Sequence, residues 1–130
     1  MPEPGQARRW SRLCQAAQHE VDGLVAALPP PLRQRARGLP VTFEPAPPAE
    51  LVDDGLDPDL LGLFNGEAFP DGVVGGDPLP AHITLYLENL WDYVRGDAAT
   101  FREEVRRTYL HELGHYLGLD EDDLADRDLD

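Results

Sequence analysis

His111-Glu112-Leu113-Gly114-His115-Tyr116-Leu117-Gly118-Leu119-Asp120-Glu121 carries more information than any other segment of this 130-residue chain. On a helix, two histidines four residues apart lie one turn from each other on nearly the same face. Their imidazoles then converge on a single ion, for which zinc is the expected occupant at ligand distances of about 2.0–2.1 Å. Glu112 follows the first histidine and is rotated about 100° around the helix axis. Its carboxylate therefore stands beside the ion rather than on it, where it can take a proton from a metal-bound water as that water attacks a carbonyl carbon. Catalytic zinc usually has three protein ligands. Gly118 allows the chain to reverse after the helix. Glu121, six residues past His115, is the expected third ligand, with Asp120 and Asp122 as substitutes.

The flanking sequence supplies the helix that this arrangement needs. Phe101, Val105, Tyr109, Leu113 and Leu117 form an i, i+4 apolar stripe that predicts a helix from Ala98 to Leu117. Gly96 breaks whatever precedes it, and Asp97 is placed as its N-cap. Upstream, His82–Leu87 is rich in β-branched and aromatic residues and reads as a strand. Glu88–Val94 reads as a short helix. Leu60–Asn65 is a second apolar run. Residues 66–81 hold four glycines and three prolines and read as a loop.

Leu39–Glu44 reads as a strand that ends in an extended connection through Pro45, Pro47 and Pro48. Residues 10–28 have apolar positions at helical spacing, stopped by Pro29-Pro30-Pro31, with a short helical segment around Leu32–Ala36. Residues 1–9 are expected to be disordered, and 122–130 to form an acidic, solvated tail.

Length and composition set outer limits. One domain over residues 1–130 is expected, large enough to bury a core without disulfides. Apolar residues make up 42% of the chain, which marks it as globular despite 13 prolines and 12 glycines. Cys14 is the sole cysteine, so an internal disulfide and a cysteine-rich zinc site are both excluded. The net charge of −14 argues against nucleic acid or anionic lipid as partners. No apolar run approaches the roughly 20 residues that span a bilayer, and no secretory leader is visible, so the cytoplasm is the expected compartment.

With these residues in view, the chain resembles the small bacterial zincin-like metallopeptidases, the minimal zincins. Their signature is similar to the segment from His111 to Glu121. Leu61-Gly62-Leu63-Phe64-Asn65-Gly66 and Ile83-Thr84-Leu85-Tyr86 also look like family strands, and the likeness spans roughly residues 15–125. It implies a compact α+β fold, with a small mixed sheet packed on an N-terminal helix and on the motif-bearing helix. It implies one zinc per chain and a peptide or protein substrate, paired along the sheet's edge strand. Ile83, Thr84, Leu85 and Tyr86 would then be the substrate-binding residues. The family usually has Asp where this chain has Glu121, one methylene longer. With Met1 as its sole methionine, the chain lacks the methionine turn of the larger metzincins.

Other residues have plainer readings. His82, at a strand start, and His19 read as surface histidines, with polarisation of a scissile carbonyl as the functional alternative for His82. Tyr109 belongs to the buried stripe, while Tyr86 and Tyr116 read as packing residues near the site. Trp10 and Trp91 read as core anchors and Cys14 as an inert buried thiol. The expected activity is zinc-dependent peptide hydrolysis with Glu112 as the catalytic base. The alternative is a non-catalytic metal-binding or regulatory protein that keeps the same core.

Overall fold

A computed structural model describes residues 4–65 and 81–118. Along the chain these form α1 (Pro4–Ala27), α2 (Pro30–Arg37), β1 (Val41–Glu44), α3 (Ala49–Asp53), β2 (Gly62–Asn65), β3 (His82–Tyr86), α4 (Leu87–Tyr93) and α5 (Ala98–Leu117). The fold is α+β, as the sequence implies. Helix α5 packs against β2, β3, α1 and α4, so the motif-bearing helix is the hub of the core. Its stripe of Phe101, Val105, Tyr109, Leu113 and Leu117 is buried throughout.

The strands form a mixed sheet in the order β1-β3-β2. β1 runs parallel to β3, with Val41 opposite Ile83 and Glu44 opposite Tyr86. β2 runs antiparallel to β3, with Gly62 opposite Leu85 and Asn65 opposite His82. The central place of β3 accounts for its composition: Ile83, Thr84, Leu85 and Tyr86 are all buried, so neither face alternates with polar residues.

The register also settles which way each backbone group points. The Tyr86 amide donates to the Leu61 carbonyl (2.9 Å), and the Ile83 amide to the Pro40 carbonyl (3.0 Å). Even-numbered residues of β3 thus bond towards β2 and odd-numbered ones towards β1. By the alternation of an antiparallel ladder, Leu63 and Asn65 bond to β3, while the N–H and C=O groups of Gly62 and Phe64 point away from the sheet.

Two contacts hold β2 in place. A Cβ added at Gly62 would lie 2.6 Å from Thr108 Cγ2 on α5, so only glycine permits this approach of strand to helix. On α4, the Asn89 side-chain amide donates to the carbonyls of Pro58 (2.8 Å) and Leu60 (2.9 Å), clamping the segment that leads into the strand.

Several boundaries differ from those read in the sequence, and three of them change an element's kind or extent. α1 begins at Pro4, so residues 4–9 are helical where disorder was expected. The side chains from Gly5 to Arg9 are exposed, so no apolar period marks this turn, and Arg9 pairs with Glu88 of α4 at 3.0 Å. α3 occupies part of the connection read as extended; it is five residues long and buries none of them. Leu87 opens α4 instead of closing β3. The expected loop lies outside the described residues from position 66 to 80, as do 1–3 and the acidic tail.

Candidate metal centre

α5 presents its histidines where local signals start and stop it. Asp97 caps the helix, its carboxylate accepting from the Thr100 amide (2.9 Å) and from the Thr100 hydroxyl. Gly118 ends it in the left-handed conformation, φ 72° and ψ 24°, where a Cβ is unfavourable. Between these ends the buried stripe fixes the rotation of the helix, and His111 and His115 emerge on its exposed face.

One potential ligand atom from each of His111, Glu112 and His115 lies within 4.8 Å of the others. The two imidazole centroids are 4.5 Å apart, at 64° to each other. His115 Nδ1 is 3.4 Å from Glu112 Oε1. Glu112 is 7% exposed, in contrast to the histidines on either side. Burial pushes its carboxyl above the ordinary range. The His115 and His111 rings and a hydrogen bond from the Phe64 backbone pull it back without cancelling that effect. Phe64 is one of the two β2 residues whose amide points away from the sheet, so the strand edge and the carboxylate meet here.

Two exposed imidazoles and one buried carboxylate at this spacing suit a divalent first-row ion. The expected third ligand, Glu121, and its substitutes Asp120 and Asp122 lie outside the described residues.

A cleft of about 1080 Å³ opens over the three side chains. It is bounded by the end of α1, by residues 60–64 and by α5 from Glu103 to His115. Ile83, Thr84, Leu85 and Tyr86, the residues expected to bind substrate, do not line it; all four are buried. β3 is paired on both sides and has no backbone edge to offer a peptide. Among the described residues the edge beside the metal centre is β2, and Gly62 and Phe64 are the residues that the sequence reading missed. A glycine inside an apolar strand was the available signal.

The remaining candidates have structural roles. Tyr86 is 1% exposed, and burial followed by the charge of Glu44 raises its hydroxyl pKa. Tyr116 packs its ring 5.7 Å from that of Phe64. His82 sits at the end of β3, its Nε2 3.4 Å from the Asn65 side-chain amide.

A family model of zincin-like metallopeptidases matches residues 36–130, which include β1, β2, β3 and the whole of α5. The chain belongs to this family. The match begins later than the expected residue 15 and leaves α1 outside the zincin-like span. No curated protein matches the chain. Among the described residues, no helix of this zincin is long and apolar enough to cross a membrane.

Proposed function

We propose that this zincin-like chain is a zinc-dependent peptidase that cuts extended peptide segments, with His111, His115 and Glu121 as ligands and Glu112 as the base. The observation that carries this reading is the convergence of His111, Glu112 and His115 within 4.8 Å, in a cleft bordered by β2, an edge strand among the described residues. Zinc held there lowers the pKa of water and polarises a carbonyl. Glu112 accepts the proton of the attacking water and delivers it to the leaving amine. Its burial, which favours the protonated form, helps it to hold that proton between the two steps. Gly62 and the Phe64 carbonyl offer outward backbone groups to which a peptide can add as a further strand, while the Phe64 amide is held by Glu112. The proposed setting is the cytoplasm, with a peptide or protein as substrate rather than nucleic acid or membrane. The acidic composition and the lone free Cys14 support it.

The test pairs elemental analysis with peptide turnover. One zinc per wild-type chain is expected, and none in His115→Ala. Glu112→Gln is expected to keep its zinc and lose at least about 100-fold in hydrolysis of denatured-protein peptides. Full activity in Glu112→Gln would overturn the mechanism. Zinc binding without turnover of any peptide would leave a metal-binding module.

A further inference from the structure

α1 also borders a second groove, of about 380 Å³, which shares no residue with the cleft over the metal centre. Gln18, Val21, Asp22 and Val25, at helical spacing on one face of α1, form one wall. Leu39 and Val41, between the end of α2 and the start of β1, form the other, with Arg37 beside them. The volume falls in the range of about 300–1,000 Å³ usual for small-molecule sites.

Tyr109 closes the floor. Among the residues lining the groove it alone comes from α5, so what reaches there is the far end of its long side chain, the end that carries the hydroxyl. Tyr109 is 0% exposed, and its hydroxyl has no hydrogen-bond partner among the described residues. A buried hydroxyl left in this state destabilises the chain, and phenylalanine would fill the same space without that penalty. An unpaired hydroxyl under a groove points to a partner that comes from outside the chain. Contact with it requires the side chains above to part; Gln18, Asp22 and Arg37 are exposed and able to swing.

The rim carries one charge of each sign. Arg37 makes no ion pair or side-chain hydrogen bond among the described residues, and none joins it to Asp22. The Asp22 carboxylate is met only by the Gln18 amide, at 2.8 Å, and keeps lone pairs for a further donor. A ligand with a single charge would be repelled by one of these two groups. A ligand with both charges meets each with its opposite. Between them the walls are apolar: Val21 and Leu39 are buried, Val25 and Val41 half-buried.

We infer that this groove binds a free α-amino acid with an apolar side chain. Its carboxylate takes Arg37 and the Tyr109 hydroxyl, its ammonium takes Asp22, and its side chain lies among Val21, Val25, Leu39 and Val41. The inference does not depend on the metal centre or on the peptidase reading. The α1 wall precedes residue 36, outside the span matched by the family model, so the groove is an addition to the zincin core.

The experiment is calorimetry with L-leucine on the zinc-loaded full chain and, in parallel, on His115→Ala. One leucine per chain is expected in both. Amino acids also chelate zinc, so binding that disappears in His115→Ala belongs to the metal centre and overturns the groove. Three analogues each lack one part of the ligand: leucinamide the carboxylate, isocaproate the ammonium, glycine the side chain. Each should bind at least about 10-fold more weakly than leucine. Tyr109→Phe, Arg37→Gln and Asp22→Asn should each weaken leucine by about 10-fold. The first removes only an unpaired hydroxyl and the other two lie on the surface, so all three variants should fold, as circular dichroism will check. No leucine binding by the wild type, equal binding of any analogue, or an affinity that survives any of the three substitutions overturns the inference.

Discussion

Tyr109 lies at the middle of the α5 stripe, fully buried, and its hydroxyl has no hydrogen-bond partner among the described residues. Burial alone pushes its ionisation up to about 12. An unpaired buried hydroxyl costs about 1–3 kcal/mol, so Tyr109→Phe should keep or raise stability, by about 1 kcal/mol, in chemical denaturation. A loss of that size instead would mean that the hydroxyl is bonded in solution. Glu112 shows the same penalty used differently: its carboxyl is also desolvated, yet two imidazoles and a backbone amide face it. In the proposed reading this desolvated carboxyl is the proton-transfer group, whereas within the chain Tyr109 has only packing around it. Cys14 is a third case. Burial raises its thiol pKa, so at neutral pH it should react with iodoacetamide more slowly than the unfolded chain does. Equal rates, read by mass spectrometry, would contradict its place against the core.

The helices and strands carry the site only while their ends and contacts hold. The Thr100 hydroxyl, and after it the Thr100 amide, lowers the pKa of Asp97 from its ordinary 3.8. A depressed carboxylate pKa contributes stability above the unfolded value, and that contribution disappears as pH falls through the folded one. Asp97→Ala should therefore lower Tm by a few degrees at pH 7. The gap should close in acid below the ordinary aspartate range, as read by circular dichroism at both pH values. The contact between β2 and α5 makes a sharper demand. Gly62→Ala drives a methyl into Thr108 Cγ2 and should cost about 1–3 kcal/mol. Thr108→Ser removes that methyl, so the double variant should recover much of the loss in a double-mutant cycle. Additive losses would show that the strain lies elsewhere. Legibility divides along the same line. Ala98–Leu117 was readable to the residue because its buried stripe has a single period, an N-cap and a left-handed glycine. The first turn of α1 and all of α3 bury nothing, so they leave no period to read.

At the scale of the whole molecule, what stayed hidden was pairing between distant segments. His111, Glu112 and His115 were legible because four residues of helix place them. The sheet order was not, because β1 and β2 reach β3 from 42 and 19 residues away, in the registers Val41↔Ile83 and Phe64↔Ile83 respectively. The burial of Ile83–Tyr86 is the trace that a central strand leaves. The proposed metal would couple these distant parts. An ion gripped by α5 and by a residue beyond Gly118 binds the folded chain and not the unfolded one, so it stabilises the whole domain by mass action. Free zinc at 100 times its dissociation constant should add about 2.7 kcal/mol, and a thermal scan should show Tm rising by several degrees. The rise should vanish in His115→Ala. Glu121→Ala should reduce it strongly, while Asp120→Ala and Asp122→Ala leave it nearly intact. If Asp120→Ala or Asp122→Ala removes it instead, that residue is the third ligand, and the turn after Gly118 closes on the ion one position away from the spacing expected of Glu121.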